Sequence, residues 1–260
     1  MTSRTRSIEI VSRFFQNQSV AQKFLEETQI SFKNQSNKSK QQVPSFDWVN
    51  IYFKAYPRLP RVKLPRIFSD KDISIKTALA LRQSKRKFTR KEINLAEVSE
   101  LLYFAMGVKN PDSKDWNKTR RFIPSAGGRY PLELYLVTDK INSLEDGLYH
   151  YNVKEHSLEL LLEGKYMGKV AELANQEWVK PGRLAFIISA VSSRSCVKYK
   201  DRGLRYVLFE AGHLCQNIYL LSLIYKMSCC SIGGFDDLGM KKLLDLSDSE
   251  EDVLYLVVTG

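Results

Sequence analysis

Histidine and cysteine are scarce in this sequence. The 260 residues include three histidines and four cysteines. No C-x-x-C pair occurs among Cys196, Cys215, Cys229 and Cys230, and His150, His156 and His213 show no ligand spacing, so no metal centre is expected. Adjacent Cys229 and Cys230 do not make a routine structural disulfide, and the thiols suit a reducing cytoplasm. No apolar run approaches the roughly 18–20 residues of a membrane span, so no membrane partner is expected. Residues 1–15 are basic but lack the continuous apolar stretch and cleavage site of a signal peptide. Acidic residues are outnumbered, 29 Asp and Glu against 40 Lys and Arg, for a net charge of +11. The excess is uneven. Residues 1–66 hold 12 basic and 4 acidic side chains. Such a region could face nucleic acid, an anionic surface or an acidic protein, or simply be a solvated face. No nucleic-acid-binding motif accompanies it, and no nucleic-acid partner is expected.

What is present suits a globular chain with a substantial core: 43% hydrophobic and 11% aromatic residues. Residues 8–30 have helical spacing of apolar positions, residues 31–45 read as a polar linker, and the proline-rich 46–65 as an extended arm unsuited to regular pairing. The expected division is a basic extension over 1–66, available for partner docking, and a domain over 67–260. Within the latter, Asp72 can cap a helix over 73–82. Asn94, with Glu97 three residues on, can cap another that ends at Gly107. Residues 147–151 and 158–162 read as a hairpin, 166–178 as helical, and 184–191 as a strand buried on both faces. A long helix over 203–227 has no charged residue between Ala211 and Tyr225, which demands burial in a core or an oligomer interface. His213 within it reads as a hydrogen-bonded core histidine. A last strand covers 253–258. Helices interleaved with strands and hairpins imply an α+β layered fold.

Residues 121–137 are the stretch around which the domain is organised. Pro124, Gly127, Gly128 and Pro131 break regular structure, and the apolar run from Leu132 begins a buried strand. Paired glycines let backbone N–H groups approach a flat or anionic ligand, and equally make an ordinary turn. The stretch lacks the lysine of a P-loop and precedes its strand, whereas Rossmann glycines follow theirs. Upstream, six of the ten residues 82–91 are basic. A bound phosphate would offset their repulsion, as would plain solvation.

Pro124-Ser125-Ala126-Gly127-Gly128-Arg129-Tyr130-Pro131-Leu132-Glu133 resembles the central motif of the SagB-type dehydrogenases. These form a branch of the FMN-dependent nitroreductase superfamily that includes azoline oxidases. Further matches follow in the family's order: Arg82-Gln83-Ser84-Lys85-Arg86, Lys198-Tyr199, Arg205-Tyr206, Glu210-Ala211-Gly212-His213, and Ile232-Gly233-Gly234-Phe235-Asp236-Asp237. The resemblance covers about residues 67–260. It implies a nitroreductase-like fold, with a central mixed sheet flanked by helices and a homodimer formed through long helices. It assigns FMN to Arg82, Ser84 and Arg86, to Pro124, Ser125, Ala126 and Gly127 (in this superfamily usually from the other subunit), and to Ile232, Gly233 and Gly234. Many nitroreductases carry basic phosphate contacts beyond their last strand. With the sequence ending at Gly260, the phosphate falls to Arg82, Arg86 and another base such as Arg205.

The same resemblance makes Lys198 and Tyr199 the catalytic pair. The implied reaction oxidises thiazoline or oxazoline rings of a ribosomally made peptide to thiazole or oxazole, with Lys198 taking the ring proton and oxygen reoxidising the flavin. The expected partners are the azoline-containing precursor peptide and a cyclodehydratase complex of the YcaO type. The alternative is an NAD(P)H-dependent flavoenzyme acting on small quinones or nitro compounds, and a third reading is a basic scaffold without flavin.

Overall fold

The computed structural model describes residues 19–30, 51–89, 92–111 and 114–260. The chain divides into two compact units, residues 1–44 and 45–260. In the first, helix α1 (Val20–Glu27) starts at Ser19, whose hydroxyl accepts the Gln22 N–H at 3.2 Å. The helical spacing over 8–18 and the linker at 31–45 lie outside the described residues.

The second unit is built on one seven-stranded sheet. In chain order its strands are β1 (Arg61–Lys63), β3 (Leu132–Thr138), β5 (Gly147–Asn152), β6 (Ser157–Glu163), β7 (Leu184–Val191), β8 (Cys229–Ile232) and β9 (Glu251–Thr259). Their spatial order is β1-β6-β5-β3-β7-β9-β8, and every pairing is antiparallel. The expected fold is present, but its sheet is antiparallel throughout where a mixed sheet was expected. The parallel pairing is confined to a separate two-residue ladder of β2 (Ile93–Asn94) with β4 (Ile141–Asn142). The proline-rich arm also differs from expectation. Pro60 and Pro65 bracket β1, which pairs with β6, so the prolines limit the strand to three residues without preventing it.

Helices cover both faces. On one lie α3 (Leu95–Met106) and α6 (Arg202–Ile224), whose Leu101, Leu102, Val207, Leu214 and Ile218 pack on Leu134, Leu136, Phe186 and Ile188. On the other, α4 (Met167–Leu173) and α7 (Asp237–Leu243) pack Val170, Ala171 and Met240 on Tyr135, Val137, Ala185 and Ile187. Both surfaces of β3 and β7 are thereby dry, which is why their sequences are almost continuously apolar.

Helix caps follow the sequence closely, with one shift. Asn94 and Glu97 make the reciprocal capping box, at 3.0 and 3.2 Å. Helix α2 (Ile75–Leu81) is capped by Ser74, which accepts the Thr77 N–H at 3.1 Å, and not by Asp72. The segment 166–178 is helical only over α4 and a single turn at Glu177–Val179, because Asn175 takes a positive φ of 50° between them.

Helix α6 has the length and mean hydropathy (1.3) of a membrane span. Its apolar residues are instead largely used against the sheet. An outer stripe stays uncovered: Leu208 is 48% and Phe209 59% exposed, with Gly212 and His213 exposed beside them. His213 is therefore a surface residue, not the core histidine expected.

Candidate functional site

The residues singled out in the sequence assemble into two clusters, both resting on α6. The first begins where α2 ends. The Arg82 guanidinium lies over the Tyr219 ring, 5.6 Å from its centroid, and the Ser84 hydroxyl bonds Tyr219 Oη at 2.9 Å. Lys85 N–H donates to the Cys229 carbonyl at 2.9 Å, and Arg86 stacks on Trp178 at 5.7 Å. Tyr219 Oη also accepts the Ser231 N–H at 2.8 Å, and Ser231 Oγ bonds Tyr255 Oη at 3.0 Å. This hydroxyl chain joins segment 82–86 to the end of β8, where Ile232 is buried and Gly233 and Gly234 are exposed. A Cβ on Gly233 would touch only Tyr255, at 3.7 Å, and one on Gly234 would meet nothing. Neither glycine is needed for packing within the chain. Among the described residues, Arg82, Lys85, Arg86 and Lys87 have no carboxylate partner. Four uncompensated cations in six positions suit a phosphate.

The second cluster is the loop after Ile123. Pro124 and Gly127 are exposed, and Ser125 and Ala126 half-buried. Gly127, Gly128 and Tyr130 all have positive φ (61°, 64° and 48°), so the loop curls back on itself. Ser125 Oγ accepts the Tyr130 N–H at 2.8 Å, and Tyr130 Oη accepts the Arg121 N–H at 3.1 Å. Lys198 and Tyr199 end helix α5 (Ser193–Tyr199), and Lys200 with φ 51° stops that helix. Their side chains converge. A Cβ at Gly127 would collide with Tyr199 Oη and lie 2.9 Å from Lys198 Nζ. Lys198 is exposed; its ammonium sits 5.5 Å from the Tyr199 ring centroid. Burial, then the neighbouring Tyr206, raise the Tyr199 pKa, opposed by Arg129. Tyr206 meets Tyr199 edge-on at 5.0 Å.

The two clusters contact α6 at Tyr219 and at Tyr206, about 20 Å apart along the helix axis. Arg205 sits about 21 Å from Tyr219 by the same measure, so one chain does not bring it to Arg82.

Sequence reasoning missed what anchors α5. Arg194 Nη1 pairs with Glu133 Oε1 at 2.6 Å, and the Arg194 carbonyl accepts Arg129 Nε at 2.9 Å. Glu133 continues into a buried triad: His150 lies between Glu133 (3.3 Å) and Glu159 (2.9 Å), all three within 2% exposed. Burial acts to raise the Glu133 pKa, but the His150 hydrogen bond and the Arg194 charge outweigh it and bring it to about 2. The same carboxylates raise the His150 pKa against its burial. The available signal was a lone glutamate inside the apolar run 132–137. Beside α5 opens a cleft of about 530 Å³ lined by Tyr52, Phe53, Arg129, Val191, Arg194 and Val197.

Residues 79–260 match the family model described as "Nitroreductase family". The chain belongs to the nitroreductase family. It is 30% identical over 188 residues to MJ1384 of Methanocaldococcus jannaschii, which is named as a nitroreductase, covering 72% of this chain and 90% of that one. It is 33% identical to the trifolitoxin-processing protein TfxB of Rhizobium leguminosarum bv. trifolii, over 40% of this chain and 30% of that one. To the microcin B17-processing protein McbC of Escherichia coli it is 23% identical, over 60% of this chain and 58% of the other. Its match thus spans about a third to somewhat over half the length of these two peptide-processing relatives. These relatives support the SagB-type branch that the motifs resemble. Among solved structures, a nitroreductase-type protein of Anabaena variabilis superposes with a TM-score of 0.70 at 27% identity, over 94% of this chain and 46% of that one. The Escherichia coli McbBCD microcin synthetase complex, with truncated pro-MccB17 bound, shares the fold at a TM-score of 0.59 and 20% identity, over 92% of this chain and 85% of that one.

Proposed function

We propose that this nitroreductase-family protein is an FMN-dependent dehydrogenase that oxidises thiazoline or oxazoline rings of a ribosomally made peptide to thiazole or oxazole. The observation that carries this reading is the meeting of Lys198 and Tyr199 over Gly127. A lysine amine, in its neutral form, and a phenol at one point of a glycine loop can take and steer a proton from a substrate laid against that loop. The resemblance to peptide-processing relatives supplies the substrate class.

The residues present fit FMN. Arg82, Lys85 and Arg86, with no carboxylate partner among the described residues, offer cations for the phosphate, and Ser84 a hydroxyl already bonded to Tyr219. Gly233 and Gly234 leave the backbone after β8 open to a close neighbour. When bound, FMN supplies the two-electron acceptor for the hydrogen leaving the ring carbon Cβ. The chain's own part is proton handling and placement. Lys198 Nζ, as the neutral amine, receives the proton from ring Cα and becomes the ammonium, and Tyr199 Oη hydrogen-bonds the ring or passes the proton on. The gain of aromaticity makes the step downhill, so orientation is the main demand. The cleft beside α5 offers room for peptide residues flanking the ring.

Because the two clusters sit at separate stretches of α6, a homodimer that lends loop 124–127 across a two-fold axis would complete each site, and the exposed Leu208–Phe209 stripe is the surface for it. A YcaO-type cyclodehydratase would supply the azolines.

The test is mass spectrometry of a cyclised precursor peptide. Wild-type protein should remove two hydrogens per ring. Lys198→Ala and Tyr199→Phe should retain FMN and leave azolines, with the lysine change costing about 10²–10⁴-fold. If Lys198→Ala aromatises the peptide at the wild-type rate, the reading fails. The similarity to MJ1384 over 90% of its length favours the second reading, a reductase of small quinones or nitro compounds, for which NAD(P)H consumption with a quinone is the assay.

A further inference from the structure

Three basic side chains converge on a second cleft, of about 820 Å³, outside the two clusters on α6. Lys63 ends β1, Arg66 follows three residues on, and Lys154 lies in the turn joining β5 to β6. Lys154 Nζ stands 5.0 Å from the centroid of the Trp116 ring, a contact that leaves its N–H groups for an acceptor. Among the described residues, none of the three cations has a carboxylate partner. Against them the cleft sets one carboxylate, that of the exposed Glu155. The cleft beside α5 is different, because its cations are engaged: Arg194 with Glu133 at 2.6 Å, Arg129 with the Arg194 carbonyl at 2.9 Å, and Lys54 with Glu251 at 2.6 Å. The two clefts are neighbours. Phe53 lines one and Trp116 the other, and their rings meet edge-on at 5.4 Å. A chain laid from Lys198 past Val197 and Phe53 therefore arrives at Trp116 and three unmatched cations.

We propose that the Trp116 cleft is a second binding site for the peptide substrate, one that takes carboxylate-bearing residues flanking the ring to be oxidised. This rests on the reading of the protein as a peptide oxidase. A concave surface with unmatched charge of one sign concentrates ligands of the opposite sign. Arg66 offers a planar fork to a carboxylate, and Lys63 and Lys154 offer compact charges. Trp116 and Leu95 supply an apolar wall for side chains between the acids. A phosphate-bearing ligand suits the cleft less. Leu95 opens α3, but the capping box of Asn94 and Glu97 already occupies N–H groups at that helix end.

The experiment compares three fluorescently labelled peptides that share one azoline and differ in its flanking residues, which are Asp and Glu, Asn and Gln, or Lys. Binding is followed by fluorescence anisotropy and ring oxidation by mass spectrometry. The acidic peptide should bind wild-type protein roughly three- to thirtyfold more tightly than the Asn/Gln peptide, the worth of two or three exposed ion pairs, and KM should follow. The advantage should shrink as salt is raised. Arg66→Glu with Lys154→Glu should reverse the order, so that the Lys-flanked peptide binds best, a result that loss of folding does not produce. Equal affinity of wild-type protein for all three peptides would overturn the inference and leave the oxidase reading standing. Tight binding of the acidic peptide, reversed in the double variant but without ring oxidation, would uphold the cleft as a peptide site and refute the oxidase reading. Binding of ADP that the double variant loses, with no preference among the peptides, would make the cleft a nucleotide site and overturn the inference.

Discussion

Lys54 and Glu251, 197 positions apart in the chain, meet at 2.6 Å beneath the sheet. Lys54 comes from the segment before β1 and Glu251 is the first residue of β9, so one buried ion pair ties the proline-rich arm to the last strand. Tyr135 Oη and Ser189 Oγ also donate to Glu251, at 2.9 and 2.6 Å, and Lys54 Nζ donates to Tyr135 Oη at 2.6 Å. Lys54→Met would remove the only cation of this cluster among the described residues and leave Glu251, 3% exposed in its side chain, without its counter-charge. A loss of about 2–4 kcal/mol in urea unfolding is expected, with partial recovery in the double variant Lys54→Met/Glu251→Gln.

The His150 triad sets the pH range of stability. The raised His150 pKa contributes stability that is complete below its unfolded value of 6.5 and is lost as pH rises through its folded value. Glu133, held at about 2, contributes stability present above its unfolded value of 4.5 and lost as pH falls from there toward 2. His150→Phe would leave Glu133 and Glu159 buried without the imidazolium between them. Thermal unfolding at neutral pH should show a loss of about 3–5 kcal/mol, smaller at acid pH where the carboxylates are protonated.

Cofactor retention tests the first cluster. Arg82→Ala with Arg86→Ala should give protein with little flavin absorbance and a lower melting temperature, since a ligand bound only by the native state stabilises it. Full flavin content in the double variant would refute the phosphate assignment.

Gly127→Ala tests the convergence directly. Alanine at φ 61° is strained by about 1–2 kcal/mol. Its methyl would also displace Tyr199 and Lys198. Ring oxidation should fall about 10²-fold, the usual penalty for misplacing reacting groups by about 1 Å. Gly168→Ala in α4, where a Cβ meets nothing within 4 Å, should leave rate and stability unchanged or slightly improved.

Assembly is tested on the outer stripe of α6. Leu208→Lys or Phe209→Glu should shift the protein from dimer to monomer in light scattering, with unchanged circular dichroism. Ile218 is fully buried within a single chain, and Leu221 packs against the same core. Ile218→Lys should therefore unfold the protomer itself. A dimer that withstands both outer changes would place the interface elsewhere.

The elements that depend on local pattern could be read from the chain alone. Asn94 and Glu97 announce a helix start because a capping box involves only four consecutive residues. The run 184–191 announces a buried strand because apolar residues on both faces need two covering layers. The motif around Gly127 carries the family likeness for a similar reason: proline fixes its own φ and glycine readily takes positive φ, wherever they occur. Strand pairing is different. Antiparallel order across the whole sheet, and the pairing of β1 with β6, follow from how distant segments meet. The tertiary structure alone decided that Lys198 and Tyr199 close over Gly127, and that His150 joins Glu133 to Glu159. Those contacts bridge residues far apart in sequence. They form only once packing against the sheet has excluded water and made each buried charge depend on its neighbour.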